Sequence, residues 1–203
     1  MSESIENKVF TKIKKAKRGT VFFIDDFVTF GVAKTVNKVL ERLVDSGELT
    51  RVGRGIYTRP QISKLLGTTL TPSTETIAKA IARRDRARIV PTGVYALHVL
   101  GLSTQIPLNV VYLTDGAARK VKVGKRTIVF KKATPKNLAT IGEISGLVIQ
   151  ALKVLEKDKV TDEEKQKVID LLKKEDPVRL QHDIRLAPEW IRNIMKSALP
   201  EKQ

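Results

Sequence analysis

A helix followed by a glycine and a short basic hairpin spans residues 32–60, and this stretch constrains the fold more than any other. In its first half the apolar residues recur three and four positions apart, which predicts an amphipathic helix, and Gly47 is suited to the C-cap. Two β-prone runs follow, at 49–52 and 56–58, and Gly53-Arg54-Gly55 joins them as the tip of a predicted hairpin. A helix followed by a basic hairpin is typical of the second half of a winged helix-turn-helix.

The helix face opposite the apolar stripe is polar and largely cationic, and so is the hairpin. In a winged helix the third helix can lie in the major groove of DNA while the wing reaches the backbone or the minor groove. Tyr57 has two candidate roles, because its hydroxyl could reach a phosphate while its ring closes the small core, and we expect the core role to dominate. The predicted DNA-contacting residues are Lys34, Thr35, Asn37, Lys38, Arg42, Arg51, Arg54, Tyr57 and Arg59.

The residues before this stretch complete the predicted winged helix. Residues 3–17 carry an apolar helical stripe and predict a first helix. Val21-Phe22-Phe23 predicts a short strand that can pair with the hairpin, and a brief second helix is expected to run through Phe30. We therefore predict a DNA-binding domain over residues 1–69, with a three-helix core closed by a small sheet.

Residues 70–203 predict a second domain of mixed α/β type. Residues 61–71 are expected to be a connector that leads into it. The fold class is thus α+β: an N-terminal winged helix-turn-helix, then a mixed domain with a small antiparallel sheet and a helical C-terminal part. The expected elements are helices at 74–86 and 92–102, strands at 109–113, 119–123 and 126–131, and further helices from 138 onward.

Charge is distributed unevenly along the chain. The formal net charge is +16, and it divides into +6 for residues 1–69, +10 for residues 70–136 and zero for residues 137–203. A field of this sign favours nucleic acid or an acidic partner. We expect the middle of the chain to form a second DNA-contacting surface close to the wing. Its candidates are Arg83, Arg84, Arg86, Arg119, Lys120, Lys122, Lys125, Arg126, Lys131 and Lys132.

The sequence offers no recognisable catalytic constellation. It contains no cysteine, and only His98 and His182 supply imidazole, so we expect no catalytic residue, no metal and no cofactor. Gly53-Arg54-Gly55 is a bare G-x-G that opens a strand, which favours a turn over a dinucleotide site. No run approaches the ~18 apolar residues of a spanning helix, and the N-terminus lacks a hydrophobic signal core. We therefore expect a cytoplasmic protein without membrane contact.

Two segments of the chain resemble one known family. They are LERLVDSGELTRVGRGIYTRP at 40–60 and GVYALHVLGLSTQIPLNVVYLTDGAARKV at 93–121. In this order and spacing they are similar to the AbiE-type (AbiEi) antitoxins of type IV toxin–antitoxin systems, which regulate two-gene abortive-infection modules. The resemblance covers most of residues 5–135, and the tail from about 137 matches weakly.

The resemblance implies a function in two parts. The N-terminal winged helix would bind inverted repeats in its own promoter and repress the operon. The C-terminal domain would neutralise a nucleotidyltransferase-like toxin without forming a stable complex. The residues themselves indicate only the first part.

Two other functions are compatible with the residues. One is a winged-helix nucleic-acid-binding protein whose basic middle domain binds RNA or an acidic protein partner, with no toxin. The other is a nucleic-acid-modifying enzyme, which has the least support. A neighbouring nucleotidyltransferase gene would distinguish the antitoxin from the first of these alternatives.

Overall fold

The computed structural model of the chain describes residues 4–63, 65 and 67–199. It is a mixed α+β structure of helices and small sheets, as the sequence predicts. Its contacts divide the chain into two compact units, Met1–Ile81 with Val121–Arg126, and Ala82–Lys120 with Thr127–Gln203. The first unit thus continues past residue 69 and includes the tip of a hairpin from the middle of the chain.

The first unit begins with a helix, a strand, a second helix and a hairpin. Its elements are α1 (Ile5–Lys15), β1 (Val21–Phe23), a 3-10 turn (Ile24–Phe27), α2 (Ala33–Asp45), β2 (Thr50–Gly53), β3 (Ile56–Thr58), β4 (Gln61–Ile62), β5 (Thr69–Leu70) and α3 (Thr74–Arg84). Strands β1 and β2 both pair antiparallel with β3, in the order β1-β3-β2. The predicted pairing of residues 21–23 with the hairpin is therefore confirmed.

Local signals account for the limits of these elements. The side chain of Ser4 accepts a hydrogen bond from the Asn7 amide at the start of α1. Gly47 has φ +77° just after α2, a left-handed conformation that favours glycine, as the sequence predicts. The brief helix predicted to run through Phe30 is only the 3-10 turn at Ile24–Phe27. The Asp26 carboxylate accepts a hydrogen bond from the Phe23 amide at 2.7 Å and closes this single turn.

The core of the first unit is built from α1, the 3-10 turn, α2 and the sheet. Its completely buried side chains include Val9, Ile13, Phe27, Val36 and Leu40. Val9, Ile13, Val36 and Leu40 lie on the apolar stripes of α1 and α2, so both stripes are buried within the unit. The helix faces opposite them are left to solvent.

Residues 61–71, predicted to be a connector, contain a short hairpin that the sequence did not predict. β4 and β5 pair antiparallel, with Gln61 opposite Leu70 and Ile62 opposite Thr69. The hairpin is short, and its strand residues are exposed. The segment after β3 therefore forms a second small hairpin that leads into α3.

The second unit combines a sheet with a helical C-terminal part. Its elements are β6 (Ile89–Thr92), α4 (Val94–Val99), β7 (Asn109–Thr114), most of β8 (Arg119–Val123) and β9 (Arg126–Lys132), then α5 (Glu143–Leu155), α6 (Asp162–Leu172), α7 (Pro177–Ile184) and α8 (Glu189–Lys196). Helix α4 is shorter than the predicted helix at 92–102, because Gly93, with φ +68°, separates it from β6. The helices α4 to α8 share one apolar core that includes Ala96, Val148, Leu152, Leu172 and Ile191.

The predicted sheet of three strands is corrected in two respects. The strand order is β6-β7-β9-β8, so a fourth strand, β6, lies at one edge. Strand β7 pairs antiparallel with β6 but parallel with β9, with Tyr112 opposite Phe130. The sheet is therefore mixed, because β9 lies between β7 and β8 and runs in the direction of β7.

The length and hydropathy of the helices bear on membrane contact. Among the described residues, no helix is both long and apolar enough to cross a bilayer.

Candidate nucleic-acid interface

Helix α2 has one buried face and one cationic face. Val36, Leu40 and Leu43 are buried. Lys34 and Lys38, four residues apart, are both exposed and lie on the same side of the helix. Neither lysine makes an ion pair or a side-chain hydrogen bond with any residue that the structure describes. These two predicted DNA-contacting residues are therefore available to a polyanion.

Asn37, also predicted to contact DNA, is engaged within the protein. Its side-chain amide donates to Oε1 of Glu41 at 3.1 Å, and its carbonyl oxygen accepts the Tyr57 hydroxyl at 3.4 Å. Both Asn37 and the neighbouring predicted residue Thr35 are half-buried. A base contact from Asn37 would therefore compete with two internal hydrogen bonds.

Tyr57 belongs to the core, which is the role that the sequence analysis expected to dominate. The residue is 2% exposed, lies opposite Arg51 across the hairpin and packs in the core of the first unit. Burial raises the pKa of its phenol; nearby Arg51 acts in the opposite direction and Glu41 adds to the rise. We therefore expect its hydroxyl to support Asn37 and not to contact DNA.

The hairpin of β2 and β3 carries two exposed arginines. Its turn consists of Arg54 and Gly55, and Gly55 has φ +68°, which a glycine adopts without strain. Arg51 on β2 and Arg54 at the turn are exposed, and within the described part of the chain neither forms an ion pair. With Lys34 and Lys38 they make four unpaired cations on α2 and the hairpin, which we call the free set.

Two other arginines predicted to contact DNA have hydrogen-bond or ion-pair partners within the protein. Nη1 of Arg59 donates to the carbonyl oxygens of Lys14, at 2.9 Å, and of Ala16, so it satisfies the C-terminal end of α1. We therefore expect Arg59 to stabilise the end of α1 and not to contact DNA. Arg42 forms an ion pair with Glu6 at 2.8 Å, and both side chains remain largely exposed. Such a surface pair is weak, so Arg42 remains a candidate that Glu6 partly neutralises.

The predicted second basic surface is divided between the two compact units. Lys122, Lys125 and Arg126 belong to the first unit. The others belong to the second unit, so the ten residues do not all belong to one compact unit. In the second unit the exposed members of the predicted set are Arg83, Arg84, Arg86, Lys120, Lys131 and Lys132.

Arg119 has a structural role that the sequence did not reveal. Its guanidinium forms an ion pair with Asp85 and lies over the Phe130 ring, 5.6 Å from the centroid. Asp85 also accepts from Nε of Arg84 at 2.9 Å. Burial, and secondarily the neighbouring charge of Arg84, lowers the pKa of Arg119. Arg84 and Arg119 therefore share one carboxylate and join β8 to the end of α3.

With this geometry established, a family model described as "Family of unknown function (DUF6088)" matches residues 8–180. The chain belongs to this family. No curated protein matches the DUF6088 chain. The crystal structure of the RV2827C protein from Mycobacterium tuberculosis matches it with a TM-score of 0.43 and 13% identity, covering 100% of this chain and 84% of that one.

In the second unit of the DUF6088 chain, two carboxylates meet at the start of α5. The Asp183 carboxylate is completely buried and accepts the amides of Ile141 and Gly142, both at 2.9 Å, and the Ser145 hydroxyl. Glu175 accepts the amide of Ile144 at 2.7 Å. These bonds satisfy the free N–H groups at the N-terminal end of a buried helix.

This carboxylate pair was missed by the sequence analysis, and so was the partner of His182. Nδ1 of His182 lies 2.8 Å from Oδ1 of Asp183. The bonds from the start of α5 to the two carboxylates join residues 31 to 42 positions apart, so no local spacing indicates them, whereas His182 and Asp183 are neighbours in the sequence. A Cβ on Gly142 would lie 2.6 Å from Oε2 of Glu175, so glycine at this position leaves room for the carboxylate. Among the described residues, no three His, Asp or Glu side chains are grouped to hold a metal ion.

Proposed function

We propose that this chain is a duplex-DNA-binding repressor and the antitoxin of a two-gene toxin–antitoxin module of the AbiE type. In this proposal α1, the 3-10 turn, α2 and the β1-β3-β2 sheet are a winged helix. Helix α2 enters the major groove and the β2–β3 hairpin is the wing. The protein acts in the cytoplasm and autoregulates its operon by binding repeats in its own promoter.

One observation carries the DNA-binding part. Lys34, Lys38, Arg51 and Arg54 are exposed and make no ion pair with a described residue, whereas some other cations, such as Arg59 and Arg119, are hydrogen-bonded or paired within the protein. An unpaired surface cation adds little to the stability of the fold. When it binds a DNA phosphate, however, condensed counterions are released from the DNA, and this release favours binding. The arrangement therefore suits a polyanionic partner better than a solely structural role.

The antitoxin part is supported by the sequence resemblance over most of residues 5–135. The resemblance implies no catalytic role for this chain and implies a nucleotidyltransferase-like toxin as its second partner. The Asp183 and Glu175 carboxylates accept backbone hydrogen bonds at the start of α5, which suits a stabilising role for them and not a catalytic one.

A binding measurement on the promoter region tests the DNA-binding part. A duplex from upstream of the coding sequence is titrated with the full chain and with a Lys34→Ala/Lys38→Ala/Arg54→Ala variant. We expect the wild type to shift this duplex and the variant to lose most of its affinity. The matched control removes the same charge from exposed residues near the C-terminus, Lys157→Ala/Lys174→Ala/Arg179→Ala, and should bind as the wild type does. Equal binding by all three proteins would contradict the proposal.

A growth assay tests the antitoxin part. The adjacent reading frame is expressed from an inducible promoter, with and without this chain expressed from an unrelated promoter. We expect the neighbouring gene to encode a nucleotidyltransferase-like protein that arrests growth, and this chain to restore growth. If the neighbour is not toxic, or if the chain does not relieve its toxicity, the antitoxin assignment fails.

A second candidate function is favoured by one further observation. Lys120, Lys131 and Lys132 of the second unit are exposed and have no ion-pair partner among the described residues. They could bind RNA or an acidic protein in the absence of any toxin. Retention of RNA by the full chain, lost in a triple alanine variant of these lysines, would favour this function.

A further inference from the structure

We propose that the tip of the β8–β9 hairpin, residues 121–126, extends the wing and binds the phosphate backbone of the same duplex. Lys122, Lys125 and Arg126 are the contacting residues. The inference rests on the proposed DNA-binding function, and it states which part of the basic middle region takes part.

The first support is a close approach between two backbones of the first unit. A Cβ on Gly53, the last residue of β2, would lie 2.9 Å from the carbonyl oxygen of Lys122. Side chains essentially never come so near to a backbone oxygen. Gly53 does not have a positive φ, so its backbone conformation does not require glycine. The missing side chain therefore serves the approach of the hairpin tip to the wing.

The second support is the local shape of the wing. The register of β2 against β3 shifts between Arg51 and Gly53, so one residue, Val52, is inserted there. Such an irregularity bends a strand and increases its twist. It lies directly before the wing turn, and Gly53 is the residue that adjoins both the turn and Lys122. The tip thus meets the wing one residue away from Arg54, a member of the free set.

The third support is the charge of the tip. Residues 121–126 read VKVGKR and contain three cations and no acid. Lys122 and Lys125 are exposed, Arg126 is half-exposed, and none of the three has an ion-pair partner among the described residues. Val123 is buried and Gly124 turns the chain with φ +56°. Arg119, four residues before Val123, is by contrast held by Asp85.

Phosphates of duplex DNA are the ligand that this arrangement suits. Point charges on lysines bind phosphate oxygens without reading sequence, and such contacts fix a protein on its site. The tip therefore supplies affinity and salt dependence, and α2 supplies base preference. Gly53 acts as a positioning residue, because it allows the tip to reach the wing.

The test is a double-mutant cycle on the full chain, with promoter DNA and a nonspecific duplex as the two probes. Lys122→Gln/Lys125→Gln removes two phosphate contacts and should lower the magnitude of the salt slope by about 1.8. At 0.15 M salt this corresponds to roughly 30-fold weaker binding, on both probes alike. The matched control, Lys157→Gln/Lys174→Gln, removes the same charge from exposed residues to which no binding role is assigned, and it should change neither quantity.

Gly53→Ala tests the positioning role. It should weaken binding and lower the slope in the wild-type chain, and it should add little in the Lys122→Gln/Lys125→Gln background. If Gly53→Ala unfolds the protein, the lysine variants alone decide the question, since their side chains are exposed. Wild-type slope and affinity in the Lys122→Gln/Lys125→Gln variant would overturn the inference while leaving the proposed function intact. Failure of the wild-type chain to bind either duplex would instead overturn the proposed function.

Discussion

Charged side chains have opposite environments on α2 with the β2–β3 hairpin and at the start of α5. On α2 and the β2–β3 hairpin, Lys34, Lys38 and Arg54 are exposed and unpaired among the described residues. At the start of α5, Asp183 is completely buried and accepts several hydrogen bonds. A buried charge is tolerated only when it is fully hydrogen-bonded, whereas an exposed charge costs little and is free to bind a partner. The first region is therefore expected to govern binding and the second to govern stability.

The largest expected effect is on the buried carboxylate. Asp183→Ala leaves the amides of Ile141 and Gly142 without their acceptor, so the free energy of unfolding should fall by about 3 kcal/mol or more. For a chain of this length the midpoint of thermal unfolding should drop by roughly 6–12 °C. Urea and thermal unfolding followed by circular dichroism measure this change.

The control for Asp183 is Asp158→Ala, which removes an exposed carboxylate and should change stability by no more than about 0.5 kcal/mol. The salt slope of DNA binding by folded Asp183→Ala protein should equal that of the wild type. A stability equal to that of the wild type would mean that the carboxylate does not support the start of α5.

The next largest effects are expected from alanine substitutions of two arginines that lie five positions apart, Arg54 and Arg59. Arg59→Ala removes the donor to the end of α1 and should cost about 1–2 kcal/mol of stability without changing the salt slope. Arg54→Ala should leave stability unchanged and lower the magnitude of the slope by about 0.9. Unfolding and salt-dependent binding are measured on both variants. A stability loss in Arg54→Ala and a change of slope in Arg59→Ala would contradict the roles given to the two arginines.

The smallest effect concerns the phenol of Tyr57. Burial raises the pKa of this group above its ordinary value of 10.0, so the unfolded chain ionises first as the pH rises. The associated stability is present below about pH 10 and is lost as the pH rises from there through the folded-state pKa. Tyr57→Phe should cost under about 1 kcal/mol at neutral pH and should remove this part of the alkaline loss. Urea midpoints at pH 8 and above pH 10 test it, and an unchanged pH dependence in Tyr57→Phe would contradict the burial of the phenol.

The parts of the fold with local signals could be predicted from the sequence. The stripe of Val36, Leu40 and Leu43 repeats with helical period, and Gly47 ends the helix because it adopts a left-handed conformation. The β-prone runs around Arg54 likewise predicted the hairpin. Each of these signals lies within a few residues of the structure that it specifies.

The rest could not be predicted because it depends on contacts between distant residues. Arg54 and Arg59 look alike in sequence, but Arg59 meets carbonyl groups more than 40 positions away. Strand β6 was missed because it contains Pro91, which is tolerated there since β6 is an edge strand. The parallel pairing of β7 and β9 follows from strand order, which the alternation of apolar residues does not encode.

The most direct test of the central claim compares the salt dependence of DNA binding in two variants that lose the same charge. Lys34→Ala/Lys38→Ala/Arg54→Ala removes three unpaired cations, and Arg59→Ala/Arg84→Ala/Arg119→Ala removes three that are held internally. At a temperature where circular dichroism shows both to be folded, we predict that the first lowers the magnitude of the slope by about 2.7 and the second leaves it unchanged. Equal reductions in the two variants would show that DNA binding depends only on net charge, and would contradict the proposed interface on α2 and the β2–β3 hairpin.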